Sequence, residues 1–297
     1  ASVSYRHGGA GSNDTGLDIY TSSSANGWER TESIDAGSDF PEYIRWYNDN
    51  EIFCIAGSKF LSFQSGSSGW STVTKIGNHG SSNAFYMSPD KTLIAFSSPQ
   101  YPDVDIYYSG STAYSFGYRI NDPFGSNVDT EAVTWLNNTD LMIAAPTFST
   151  NKGRIEVWRT SDGGDNFSEI DQLNGNTNDY LGAMLYYQTS SGNLIVGTGY
   201  SNTGQPNLSA ENGKLFLYQS SSAAGYLPAS YGTRTEITTS NIRAPYSPYL
   251  APDPNSDGRF IFQTKGHTSS PFGATLIALE SGSSGWKQTT VDTPVYT

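Results

Sequence analysis

Phe60-Leu-Ser-Phe-Gln-Ser-Gly-Ser-Ser-Gly-Trp70 returns near the other end of the chain as Leu276-Ile-Ala-Leu-Glu-Ser-Gly-Ser-Ser-Gly-Trp286, with Ser-Gly-Ser-Ser-Gly-Trp identical in both. Period-two alternation marks a half-buried strand and clustered Gly/Ser marks a turn, so each copy reads as strand, turn and a second strand that starts at the aromatic. Leu17-Asp-Ile-Tyr-Thr-Ser-Ser-Ser-Ala-Asn-Gly-Trp28 is a third clear copy, and weaker ones run from Asp105 to Tyr114, Ile155 to Phe167 and Leu215 to Tyr226. The closing aromatics Trp28, Trp70, Tyr114, Phe167, Tyr226 and Trp286 stand 42, 44, 53, 59 and 60 residues apart in a chain of 297. Repetition on this scale points to a propeller or solenoid.

Upstream of the turns lie further pairs of strand-like runs: Tyr43–Tyr47 with Glu51–Ile55, Phe85–Met87 with Leu93–Phe96, and Val133–Leu136 with Leu141–Ala144. Met184–Tyr187 with Leu194–Val196, and Tyr249–Leu250 with Phe260–Phe262, continue the series. Four strands per repeat make a propeller blade. The expected fold is an all-β, six-bladed β-propeller with four antiparallel strands per blade, in one domain over 1–297. Its blades are 1–36 plus 292–297, 37–78, 79–122, 123–175, 176–240 and 241–291. Ser2–Arg6 reads as a second strand and Thr293–Thr297 as a first strand. The two ends are therefore expected to share a blade, which closes the ring and leaves no open sheet edge.

Composition excludes several functions. With 16 Lys+Arg against 28 Asp+Glu the net charge is −12, and the seven Lys and nine Arg form no cluster; no nucleic-acid binding is expected. Cys54 is the single cysteine, so no internal disulfide or Cys-rich metal site can form. No run of about 18 apolar residues is present, and no membrane insertion is expected. Charged residues make up only 15% of the chain, while Ser, Thr, Asn and Gly abound. That composition suits work outside the cell or on a virion surface.

The fourth turn, Thr160-Ser-Asp162-Gly-Gly164-Asp-Asn-Phe167, resembles the Asp-box (BNR-repeat) signature of sialidase-like β-propellers, Ser/Thr-x-Asp-x-Gly-x-x-Trp/Phe. The other five copies keep the Ser/Gly turn and the aromatic but lose the Asp. The resemblance implies that Thr160, Asp162, Gly164 and Phe167 form a structural turn on the face opposite an active site. An Asp carboxylate can take backbone N–H groups there, and Gly supplies positive φ. The catalytic pattern of sialidases is not reproduced: Tyr5-Arg6-His7-Gly8 lacks the Ile-Pro that follows the family's first arginine, and Arg45 and Arg154 lie beside strand runs where a salt bridge would serve as well.

Ligands of propellers usually meet the face formed by the second-to-third-strand loops and the links between blades. Candidate ligand-binding residues on that face are Arg6, His7, Tyr101, Asp103, Phe148, Tyr200, Asn202, Arg243, His267 and Phe272. Rings beside amides and carboxylates suit a sugar, whose C–H faces stack while its hydroxyls take hydrogen bonds. The expected partner is a glycan or a surface protein, with assembly into a larger particle such as a phage or virus appendage. A glycosidase would instead need two carboxylates about 5–9 Å apart, and Asp39, Glu131, Asp179 and Asp292 are the candidates. Asp253-Pro-Asn255-Ser-Asp257-Gly258 has the alternating oxygens of a calcium loop, but its twelfth position is Thr264, so an Asx-stabilised hairpin turn competes with Ca2+ binding. No cofactor is required in any of these readings.

Overall fold

The structure is a computed structural model that describes residues 2–6, 15–23, 27–37, 41–79, 82, 84–97, 102–125, 128, 130, 132–149, 152–174, 179–189, 192–201, 213–220, 235–238, 250–252, 259–263, 276–282 and 285–290, with side chains chiefly over 16–19, 29–35 and 43–174. All regular structure among the described residues is β-strand. Strands β1 (Ser2–Arg6), β2 (Thr15–Ser23) and β3 (Gly27–Gly37) form a three-stranded antiparallel meander. Strands β4 (Pro41–Asn48), β5 (Glu51–Ala56), β6 (Lys59–Gly66) and β7 (Gly69–Ile76) form a four-stranded one, as do β8 (Ala84–Met87), β9 (Leu93–Ser97), β10 (Val104–Tyr108) and β11 (Ser115–Ile120). Two consecutive quartets follow: β12 (Ala132–Trp135), β13 (Asp140–Ser149), β14 (Lys152–Thr160) and β15 (Phe167–Asn174), then β16 (Asp179–Thr189), β17 (Gly192–Ser201), β18 (Gly213–Ser220) and β19 (Thr235–Thr238). One parallel bridge between β14 and β16 joins them into an eight-stranded sheet. The last quartet is β20 (Leu250–Pro252), β21 (Arg259–Gln263), β22 (Leu276–Gly282) and β23 (Gly285–Thr290).

β1 pairs with β2 from Ser2↔Tyr20 to Arg6↔Gly16, the place expected of a second strand. The closing strand expected at 293–297 lies outside the described residues. The chain has two compact units, Ala1–Ser82 with Tyr108–Phe116, and Asn83–Tyr107 with Gly117–Thr297.

In the first unit, Leu17, Ile19 and Ile34 pack with Ile52, Cys54, Leu61 and Phe63 in one apolar cluster, and the closing aromatic Trp70 lies against it. Trp70 also meets Trp46 edge-on, with ring centroids 6.1 Å apart. The next closing aromatic, Tyr114, packs on Phe53 and Phe60 of the β4–β7 sheet at 6.1 and 5.8 Å. Its backbone N–H donates to the Lys75 carbonyl at 3.0 Å, and Lys75 Nζ donates to the Ser111 carbonyl at 3.1 Å. In the second unit Phe167 stacks on Tyr118 of the preceding sheet at 5.7 Å and on Trp135 at 6.2 Å. The Trp135 indole N–H donates to the Tyr86 carbonyl at 3.1 Å, which ties β12 to β8. Within this unit the first strands of successive quartets lie side by side, β8 against β12, β12 against β16, and β16 against β20.

At one end of the β4–β7 and β12–β15 quartets the first hairpin turn and the Ser/Gly turn are joined. Ser65 N–H donates to the Asn50 carbonyl at 2.8 Å, and Thr160 N–H donates to the Thr139 carbonyl at 2.9 Å. In the Thr160–Phe167 turn, Asp162 Oδ1 accepts from the Thr160 hydroxyl (3.0 Å) and from the N–H groups of Asp165 (3.1 Å) and Asn166 (2.9 Å). Asp162 Oδ2 takes the Asn166 amide at 2.6 Å, and the Thr160 hydroxyl accepts the Gly164 N–H at 2.8 Å. Gly163 and Gly164 have φ of 78° and 115°, which a Cβ would disfavour. The Asn166 side-chain donor, followed by its backbone N–H, holds the Asp162 carboxyl below its ordinary value.

Phe167→Ala removes a buried ring from two aromatic partners, and urea unfolding should show a loss of about 3 kcal/mol. Phe116→Ala, at a ring 53% exposed on β11, should stay within about 0.5 kcal/mol of wild type. Asp162→Ala should lower the melting temperature at pH 7. Because the folded-state carboxyl titrates below its ordinary 3.8, this contribution is present above pH 3.8 and fades as pH falls through the lowered value. Scanning calorimetry should therefore show the gap between wild type and Asp162→Ala closing in strong acid.

Candidate functional site

Carboxylates are the side chains a hydrolase would need, and the structure accounts for many of them. Asp140, buried at the start of β13, forks with Arg159 at 2.6 and 2.8 Å. It also accepts the Asn137 amide at 3.1 Å, while Asn137 Oδ1 accepts the backbone N–H of Thr139 and Asp140. Glu51 occupies the corresponding place at the start of β5, where it accepts from Gln64 Nε2 at 2.7 Å and from the Ser62 hydroxyl. Asp105 forks with Arg119 at 2.6 and 2.9 Å across β10 and β11. The Asp105 hydrogen bond, opposed by partial burial, raises the Arg119 guanidinium further above its ordinary value.

Asp103 is the predicted ligand residue whose side chain the structure describes. It is half-buried, its Oδ1 accepts the Asp122 N–H at 3.0 Å, and its Oδ2 stands 3.7 Å from Arg119. These contacts fasten the segment after β11, where Asp122 adopts a positive φ of 45°.

The backbone places four more of the predicted residues. Ser149 pairs with Lys152, Lys152 with Asp179, and Asp179 with Ser201, so one row of the eight-stranded sheet runs across both quartets. Phe148 precedes the first member of this row, and Tyr200 pairs with Tyr180 beside it. The row lies at the second-to-third-strand end of both quartets, opposite the end that holds the Asp162 turn. Arg6 ends β1 at the loop that leads to β2. His7, Asp39, Tyr101, Glu131, Asn202, Arg243, Asp253, Asn255, Asp257, His267, Phe272 and Asp292 lie outside the described residues. Among the described residues no cluster of His, Cys, Asp and Glu has the arrangement of a metal site.

Two features of the sheets escape a sequence reading. A two-against-one bulge interrupts β4 between Glu42 and Arg45 and β16 between Leu181 and Met184, each near the beginning of a first strand. Bulges of this kind re-aim the residues that follow them; Tyr43, inside the first, has a φ of 48°. The second feature is Glu156, a carboxylate with no exposed surface in the middle of β14. Its sequence signal is a lone acid between Ile155 and Val157. Arg154, weighed above for anion binding, is held by Glu156 at 2.8 Å, by Glu169 at 3.7 Å and by the Gln172 side-chain carbonyl.

No protein-family model matches the chain, and no curated protein matches it. Solved structures do. A Lactobacillus plantarum protein superposes with a TM-score of 0.57 at 13% identity over 99% of this chain and 96% of its own. A Bacteroides fragilis protein provisionally named a 6-phosphogluconolactonase gives 0.60 at 9% identity over 98% of this chain and 79% of its own. A chain of a nidogen/laminin complex gives 0.57 at 11% identity over 95% and 89%. At these identities the likeness is one of fold alone. Joined to the antiparallel quartets whose first strands lie side by side, it identifies the chain as a β-propeller.

Proposed function

We propose that the chain is a six-bladed propeller of the Asp-box type, closed by its two ends into one domain, that acts as a non-catalytic binding module at its second-to-third-strand end. The favoured ligand is a glycan, bound outside the cell or on a virion surface. The observation that carries this reading is the backbone row Ser149–Lys152–Asp179–Ser201, which gathers Phe148, Asp179 and Tyr200 at one end of one sheet. At this end the long connections 98–103, 202–212 and 264–275 lie beside the two-residue links 57–58 and 150–151, and offer room for a ligand beside the row. Long connections on a rigid sheet frame are where binding residues concentrate. The non-catalytic assignment draws on Glu51, Asp105, Asp140, Glu156 and Asp162, each held in contacts within the fold.

A broad glycan array tests the reading. Wild type should give a consistent signal that falls at least tenfold on Tyr101→Ala, Tyr200→Ala or Phe272→Ala, with melting temperatures unchanged. Silence across the array, or binding indifferent to all three changes, would reject glycan recognition and favour a surface protein as partner. Turnover of aryl glycosides that collapses on Asp39→Asn, Glu131→Gln, Asp179→Asn or Asp292→Asn would replace the binding reading with hydrolysis. The reading needs no cofactor. Stabilising Ca2+ at Asp253, Asn255 and Asp257 predicts a melting temperature lowered by chelator, and an unmoved one removes that site.

A further inference from the structure

Ionised side chains are rarely placed in the middle of a packed strand, because removing an unpaired charge from water is costly. Glu156 is such a residue. Register places Val133, Ile143, Glu156 and Gln172 in one row across β12, β13, β14 and β15, and residues paired in this way share a face of the sheet. Trp135 and Trp158 lie on that same face two positions along, and Trp135 reaches the preceding sheet through the Tyr86 carbonyl. Glu156 is thus packed between the β8–β11 and β12–β15 sheets.

Its two oxygens are treated differently. Oε2 accepts the Trp158 indole N–H at 2.9 Å. Oε1 stands 2.8 Å from Arg154 Nη2 but receives no aligned hydrogen bond. Arg154 is shared, since Glu169 and the Gln172 carbonyl draw on the same nitrogen. Among the described residues the charged groups that act on Glu156 are Arg154 from its own strand and Glu169 from β15, while Tyr118 of β11 stacks on Phe167. From β13 the facing neighbours are Leu141 and Ile143, which carry no charge.

We infer that Glu156 is a proton-linked switch in this interface: neutral, it lies buried against Trp158, and ionised, it competes with Glu169 and Gln172 for the Arg154 guanidinium. The proton comes from solvent and returns to it. Burial pushes the Glu156 carboxyl up to about 7, against the pull of the Trp158 hydrogen bond and of Arg154, with Glu169 adding to the rise. An unfolded glutamate titrates near 4.5, so between these values the folded state holds the extra proton. The contribution is full below pH 4.5 and is lost as pH rises through about 7.

Melting temperatures of wild type and Glu156→Gln, measured from pH 5 to pH 8, test the inference. Wild type should lose several degrees more than Glu156→Gln across this window, and the variant should melt above wild type at pH 8. The comparison cancels every other titratable group, since both proteins share them. A second readout does not depend on that variant folding. The tryptophan fluorescence difference between wild type and Trp158→Phe should titrate with a midpoint near neutrality, and the midpoint should rise in Arg154→Gln, which lacks the competing cation. Parallel melting curves for wild type and Glu156→Gln, or a Trp158 signal flat from pH 6 to pH 8, would overturn the switch.

Discussion

Among the described residues, the closing aromatics Trp70, Tyr114 and Phe167 connect the local structure of a turn to the packing around it. Trp70 sits on a cluster that includes Leu17, Ile19 and Ile34 of the preceding sheet; Tyr114 sits on Phe53 and Phe60; Phe167 sits on Tyr118. The three rings stand at or just before the start of a fourth strand, and Tyr114 and Phe167 pack on rings of the repeat before. A large flat side chain buries much apolar area while fixing orientation through ring geometry. One aromatic per turn therefore both ends a hairpin and docks a sheet. Among the described residues this lets a chain with few long aliphatics build its cores around rings.

Electrostatics follows the same repeat. Glu51 and Asp140 each begin a second strand and are each paired across to the third, with Gln64 and Arg159. The equivalent pair of β21 and β22 is Arg259 opposite Glu280, with the signs exchanged. Beside the first two pairs, Asn50 and Thr139 offer carbonyls to the backbone of Ser65 and Thr160. At the turn end of the β4–β7 and β12–β15 quartets the polar groups are thus spent on one another. Glu156 departs from this rule, since it is buried halfway along a third strand with a single contested cation.

Much of the fold was legible because its signals are local. Alternation, Ser/Gly turns and the closing rings are readable one repeat at a time, and β2–β3, β6–β7 and β22–β23 fall where those signals place them. The joining of the two central quartets by Lys152↔Asp179 was not legible, because a parallel bridge between a third strand and the next first strand depends on geometry that residue patterning does not encode. The site was less legible still. Asp103 looks in sequence like a loop acid available to a ligand, yet in the structure it anchors the Asp122 backbone; Glu156 looks like one more strand residue, yet it is fully buried. In both cases the deciding quantity is the partner, and partners are set by tertiary packing.

The two ends of the quartets are under opposite constraints, which bears on where new function can arise. At the turn end, the Asp162 carboxylate takes four hydrogen bonds within seven residues of chain, so a change there disturbs the hairpin that presents Phe167. At the other end, the second-to-third connections range from the pair 150–151 to the long segments 202–212 and 264–275 while the strands on either side stay paired. Lengthening a flexible connection adds only about 0.6 kcal/mol per doubling, whereas losing a buried ring costs about 3–5 kcal/mol. In the β12–β15 quartet, then, the turn that presents Phe167 is constrained by its own hydrogen bonds, while Phe148, Asp179 and Tyr200 gather at the opposite end. Any recognition this propeller performs can be altered there without disturbing the aromatic contacts that hold its sheets together.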